Sequence, residues 1–123
     1  MTERSGLLVR AGGELGFVPA SVAKSLVRSP IAWPVASTPL QMALVNGQVV
    51  PVVAIGSPTP ELVLCEVEGE IVGFSGLDVE RAGSFEAAEG GVIADGRLLR
   101  DLDLAGVLRS LDQALEPRLG ESA

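Results

Sequence analysis

The stretch from Gln41 to Ile55, QMALVNGQVVPVVAI, constrains the fold of this chain more than any other. It predicts two strands joined at Asn46-Gly47, the strongest short-range hairpin signal a sequence offers. Asn and Gly both tolerate positive φ, so the turn can follow the right-handed twist of its strands. The second strand is apolar on both faces, with Val49, Val53 and Ile55 on one side and Val50 and Val52 on the other. Pro51 cannot donate to a ladder, which places it at a sheet edge or a bulge. An apolar edge marked by proline is a place for a partner to dock.

Three further hairpins are predicted around this one. Gly6–Arg10 and Glu14–Val18 turn across Ala11-Gly12-Gly13, with Leu8 and Leu15 as core candidates. Glu61–Val67 and Glu70–Phe74 turn at Glu68-Gly69, with Leu62, Leu64 and Glu66 on one face and Val63, Cys65 and Val67 on the other. Val92–Arg100 folds back at Asp95-Gly96, and Leu77–Arg81 is a further strand. Pro19 suits the first turn of a short helix over Ala20–Lys24. Leu26–Ile31 is extended, while Ala32–Leu40, the Gly56–Pro60 connection and the Gly-, Ala-, Ser- and Glu-rich Ala82–Gly91 are loops. One helix closes the chain. Asp103 is its N-cap, Leu104, Val107, Leu108, Leu111 and Leu115 recur at helical spacing, and Pro117 ends it. The fold class is mainly β, most simply small barrels.

A length of 123 residues fits a single domain, here residues 6–115 with flexible termini at 1–5 and 118–123. The apolar fraction of 47% is enough for a packed core. Net charge is −7 and Lys24 is the one lysine, which argues against nucleic acid or anionic lipid as partner. No Asp, Glu, Lys or Arg occurs from Ser29 to Pro60, a span long enough to cross a bilayer. Pro30, Pro34, Pro39, Asn46-Gly47, Pro51 and Pro58 interrupt it, so no spanning helix is expected. Met1–Ser5 runs directly into a strand-like stretch rather than an apolar leader. With a single cysteine the chain suits a reducing, cytoplasmic setting.

The residues offer little to build an active site from. The sequence contains no histidine, which removes Ser/His and Cys/His pairs and histidine-based metal sites. Cys65 lies mid-strand among apolar residues, where a thiol is buried and inert. Glu66, Glu68 and Glu70 are solvated carboxylates at a hairpin tip. Asp101 and Asp103 complement the start of the helix dipole. Gly12-Gly13 and Gly90-Gly91 fit no phosphate- or dinucleotide-binding fingerprint. Arg97, Arg100 and Arg109 belong to a salt-bridged surface. No catalytic, cofactor or metal site is expected, and the chemistry points to binding by shape.

Four stretches in this order resemble the CheW-like domain, the adaptor module of bacterial chemosensory arrays. LLVRAGGELGFVP at 7–19 is similar to its opening hairpin. Trp33-Pro34 and the 41–55 hairpin resemble its proline-containing loop and its "G-x-V-V-P-V" strand, here Gly47 to Val52. Ile71-Val72-Gly73-Phe74 with Leu77-Asp78-Val79 is similar to its "G-hydrophobic, then V-D-x-V" pair. Asp95 to Leu104 resembles its closing "D-G-R-hydrophobic, then L-D-L" hairpin and helix. Together these cover about residues 6–112.

The resemblance implies two small, intertwined, five-stranded, SH3-like barrels with a C-terminal helix, strands being lost in so short a chain. It implies a non-catalytic adaptor in a chemotaxis or motility pathway. Such an adaptor couples a methyl-accepting chemoreceptor to a CheA-type histidine kinase or to another CheW-like protein. The partner-binding surface it implies is Val45, Asn46, Gly47, Val49, Val50, Pro51 and Val53. Two departures weaken the kinase arm: Asn46 stands at the arginine of the family's "N-L-R-G", and Ala54 at the aspartate of its "P-V-x-D-L". The alternative is a stand-alone small β-barrel interaction subunit of an unrelated complex.

Overall fold

A computed structural model describes residues 2–28, 31–35, 40–55 and 59–110. The strands are β1 (Glu3–Ala11), β2 (Glu14–Pro19), β3 (Ala23–Arg28), β4 (Ile31–Pro34), β5 (Gln41–Val45) and β6 (Gln48–Ala54). They continue with β7 (Glu61–Val67), β8 (Glu70–Ser75), β9 (Leu77–Ala88), β10 (Gly91–Ala94) and β11 (Arg97–Arg100). Helix α1 is described over residues 104–110.

The four expected hairpins form, and one turn chemistry serves them all. Gly12-Gly13, Asn46-Gly47, Glu68-Gly69 and Asp95-Gly96 each hold two consecutive residues at positive φ, from 51° to 88°. That is the backbone of a type I′ turn, in which glycine at the second position carries no Cβ penalty.

The strands divide into two sheets. The first, ordered β11-β10-β9-β1-β2, joins the beginning of the chain to its end. It curls until its edges meet: Phe17 bridges Asp101 in parallel, and the Leu102 amide donates to the Phe17 carbonyl at 2.9 Å. Leu8, Phe17, Val92, Ala94 and Leu99 fill this closed barrel. Gly6 makes the filling possible, because a Cβ there would meet the Val18 carbonyl and the Phe17 ring.

The second sheet, ordered β3-β7-β8-β6-β5-β4, holds the middle of the chain. Its β7 is buried on both faces, as the two apolar sets of that strand require. Leu62 and Leu64 pack with Ala43, Val45, Val50 and Val52. Val63, Cys65 and Val67 pack with Val9, Val18, Val53, Val72, Phe74, Leu77 and Leu104 in the core that joins the two sheets. Asp103 caps α1 as expected, accepting the Gly106 amide at 2.9 Å. Leu104 is buried in the joint core, with Val107 and Leu108 packed against it.

Several expectations are corrected. Residues 20–24 form no helix: the Ala20 amide donates to the Ser5 carbonyl, a three-residue turn follows Pro19, and β3 starts at Ala23. Residues 32–34, expected as loop, belong with Ile31 to the edge strand β4, paired with β5. Within Ala82–Gly91 only Glu89-Gly90 is a turn, since β9 runs to Ala88, pairing with β1 and then β10, and β10 starts at Gly91. Cross-strand pairing on two sides outweighs the poor strand propensity of Gly, Ala and Glu. Residues 3–5, expected as part of a flexible terminus, lie in β1. The two sheets have five and six strands, so neither has fallen below five. Leu111, Leu115, Pro117 and residues 118–123 lie outside the described residues, as do 29–30, 36–39 and 56–58.

Gly6→Ala should lower stability by about 2–3 kcal/mol through overpacking against Phe17, read as a reduced urea midpoint. An unchanged midpoint would mean that the Val18 backbone, the nearer obstacle, and the Phe17 ring both give way freely.

Candidate functional site

The predicted docking residues separate into two groups once the 41–55 hairpin is folded. Val45, Val50 and Val53 are buried, Val50 and Val53 each with 6% of their surface exposed. Val45 and Val50 pack in the core of the six-stranded sheet, and Val53 in the core that joins the two sheets. Asn46, Gly47 and Val49 are exposed, Val49 at 55%, and Pro51 is half-buried. Only this second group can touch a partner, Asn46, Val49 and Pro51 through side chains and Gly47 through its backbone.

Pro51 occupies a position where its missing amide costs nothing. Val45 and Gln48 close the two-residue turn, so hydrogen-bonded and non-hydrogen-bonded pairs alternate from there. Pro51 opposite Met42 is then a non-hydrogen-bonded pair, and its nitrogen faces away from β5. On that other side β8 begins pairing only at Val52, opposite Gly73. β6 is thus an edge at its start and an interior strand at its end.

Alternation along the hairpin creates a surface beyond the predicted residues. Register places Trp33, Met42 and Pro51 in one row across β4, β5 and β6, with Leu44 opposite Val49 in the next. These face away from Ala43 and Val50. Trp33 is 41% exposed and Leu44 42%. Sequence reading missed Trp33 and Leu44 because the strand character of 31–34 was not legible, and without β4 the row has no third member.

A second feature, also unforeseen, is a groove of about 430 Å³ where the two sheets meet. Its floor is Leu7 on β1 and Ala82-Gly83-Ser84 on β9, and its wall is the β3 edge at Lys24, Ser25 and Leu26. Small residues hold the floor low, and Ser5 Oγ and Ser84 Oγ hydrogen-bond across it at 2.8 Å. Lys24 is tied down by Glu66 at 3.2 Å, so the wall offers mainly apolar surface. The Ala-Gly-Ser run at 82–84 was the available signal, read instead as a loop.

Of the polar residues considered for chemistry, several form surface ion pairs, but of the three arginines expected on a salt-bridged surface only Arg109 does, and Arg97 and Arg100 make no ion pair among the described residues. Arg109 lies 3.2 Å from Glu68, and Arg4 holds Asp101 at 2.8 Å. No three His, Cys, Asp or Glu side chains gather to hold a metal among the described residues. Cys65 is fully buried, and burial pushes its thiol up to about 11 from an ordinary 9.0. No helix among the described residues is long and apolar enough to cross a membrane.

No family model matches this sequence, and no curated protein matches it. Eleven chains of solved structures do match. One is the scaffolding protein TtCheW from Thermoanaerobacter tengcongensis, at 14% identity and a TM-score of 0.69, covering 84% of this chain and 90% of that one. The chain has the CheW-like fold.

Two outcomes follow from these burials. Val50→Asp or Val53→Asp should cost about 4 kcal/mol or more by burying a charge, whereas Val49→Asp should stay within about 0.5 kcal/mol of the parent. Circular dichroism melts of the three variants decide this, and equal melts would contradict the burial. For Cys65, the folded state holds its proton more tightly than the unfolded chain. Its contribution is therefore intact below pH 9 and is lost as pH rises toward 11. Cys65→Ala should flatten the fall in stability over that window, measured by urea melts.

Proposed function

We propose that this protein is a divergent CheW-like adaptor, a non-catalytic scaffold in a cytoplasmic chemosensory pathway. The observation that carries the reading is the CheW-like fold, matched over most of both chains to a scaffolding protein. An adaptor must hold two partners at once, and two separate surfaces suit that task. The groove lies at the β3 edge of the six-stranded sheet, and the exposed part of the 41–55 hairpin lies toward its β4 edge. Occupying one leaves the other open.

On this reading the groove receives a chemoreceptor, whose backbone can approach closely over Gly83 and Ala82. Asn46, Gly47, Val49 and Pro51 meet a CheA-type kinase or another CheW-like protein. Val45, Val50 and Val53 act only by holding that strand in place. With Asn46 and Ala54 in place of charged residues, contact at the hairpin rests on apolar burial, and coupling to the kinase is weak. Each contact is of the modest size typical of transient signalling, and an array gains strength by combining many.

Calorimetry against a purified chemoreceptor signalling tip and a purified kinase regulatory domain tests this. The receptor tip should bind, and Leu26→Glu or Ala82→Trp should weaken it about tenfold, or about 1.4 kcal/mol. Asn46→Arg with Ala54→Asp should strengthen the kinase arm and leave the receptor arm unchanged. Binding to neither protein would sink the adaptor reading.

A further inference from the structure

Among the described residues β9 is the longest strand, and for part of its length it has a single neighbour. β1 pairs with it from Leu77 to Glu86, but β10 covers its other side only at Glu86–Ala88. The β10–β11 hairpin turns back at Asp95-Gly96, which leaves Arg81–Phe85 as an open edge. Two bonds fix which backbone groups face that edge. The Ala87 amide donates to the Thr2 carbonyl, and the Ala20 amide to the Ser5 carbonyl, so Ser5 turns toward β2 and not toward β9. Alternating from there, Gly83 and Phe85 bond to β1, while Ala82 and Ser84 direct their N–H and C=O groups outward. Neither residue has a backbone partner on that side among the described residues, and Ala82, Gly83 and Ser84 are all exposed.

Gly83 adds a recess to the edge. A glycine inside a strand weakens it, and serves a bulge, a tight bend or the close approach of another group. The register shift of this strand pair falls between Leu8 and Val9, away from Gly83. Crowding within the chain does not explain it either. A Cβ at Gly6, directly opposite, would strike the Val18 carbonyl, whereas one at Gly83 would meet only the Phe85 ring, at 3.9 Å. The open space there is about 410 Å³, bordered by Arg81, Phe85, Ala94 and Asp95. Arg81 lies 5.3 Å from the centre of the Phe85 ring and pairs with Asp95 at 3.1 Å, so its charge is already met.

We propose that Arg81–Phe85 is a strand-addition site, where an extended segment of a partner protein pairs with β9 and lays an aromatic side chain over Gly83. The unpaired backbone row selects this occupant. Outward N–H and C=O groups two residues apart match the backbone of a strand, not that of a helix, whose groups are bonded internally. The partner residue opposite Gly83 points to the same face as Gly83 and Phe85. A ring there covers the glycine and meets the Phe85 ring. Its two neighbours point to the other face, over Ala82 and Ser84 into the groove, where Leu7 and Leu26 favour apolar side chains. The occupant is thus an extended apolar–aromatic–apolar segment. The site rests on the β9 edge and not on the adaptor reading. Because Ala82–Ser84 also form the floor of the groove, an added strand and a groove-bound receptor exclude each other.

Amide exchange and chemical shifts of the full chain in solution test this, with the capped peptide Thr-Val-Phe-Val-Thr as probe. In the protein alone, the Ala82 and Ser84 amides should exchange about tenfold faster than those of Gly83 and Phe85. The peptide, titrated to about 2 mM, should shift and protect the Ala82 and Ser84 amides. Replacing its Phe with Ala, or N-methylating its valines, should weaken binding about tenfold. Gly83→Val should do the same while the urea midpoint holds, since the position has room and valine favours strands; Gly83→Ala replaces it if that midpoint falls. Equal exchange of all four amides in the free protein would overturn the proposal. So would a peptide that leaves Ala82 and Ser84 unshifted, tolerates N-methylation, or binds the Gly83 variant unchanged. Receptor binding is measured apart from all of these, so either result can fail alone.

Discussion

The seam between β2 and the chain following β11 is the contact on which the rest of the architecture depends. There the Phe17 carbonyl accepts the Leu102 amide, and Phe17 bridges Asp101. Arg4 reinforces it with two bonds to the Asp101 carboxylate, at 2.8 and 3.1 Å, while its guanidinium lies 5.0 Å from the centre of the Phe17 ring. A paired carboxylate, a hydrogen bond and a cation over an aromatic face are individually small terms at a partly exposed site. Their importance is geometric. They turn an open five-stranded sheet into a barrel whose outer face, at Val9 and Val18, presses on the second sheet.

Once that barrel is closed, the middle of the chain has one way to fold against it. β7 and β8 lie at the joint, with Val63, Cys65, Val72 and Phe74 toward the barrel and Leu62 and Leu64 toward the far side. β4, β5 and the start of β6 extend past the barrel and are left uncovered on the same face. The groove at β3 and the apolar surface at Trp33 therefore arise from one fact: a six-stranded sheet is wider than the barrel that covers it. Both candidate binding surfaces lie where that cover ends.

What the sequence made legible was local. The X-Gly turns and the alternating valines of 41–55 and 61–74 specify hairpins through backbone sterics and period-two burial, which need no knowledge of distant contacts. The cap at Asp103 is equally local. What remained hidden depends on pairing between remote segments. Ala82–Ala88 is poor strand material that becomes strand because β1 and β10 flank it, and Gly83 sits opposite Gly6. The candidate binding surface was half legible. Its strand was identified, but which of its valines are covered depends on the five-stranded sheet, which packs over Val53 and leaves Val49 in water.

The register of β1 carries a consequence for how the protein is made. Glu3 pairs with Glu86, and the seam at Phe17 waits for Asp101 and Leu102. A ribosome releases the first hairpin long before the distant residues that bury Val9, Val18 and Phe17, from Val53 to Leu104, have been synthesised. Contacts so distant in the chain form slowly, and until then the nascent chain presents unpaired strand edges and apolar side chains. The first hairpin is sealed only once Asp101 and Leu102, some eighty residues later, have emerged.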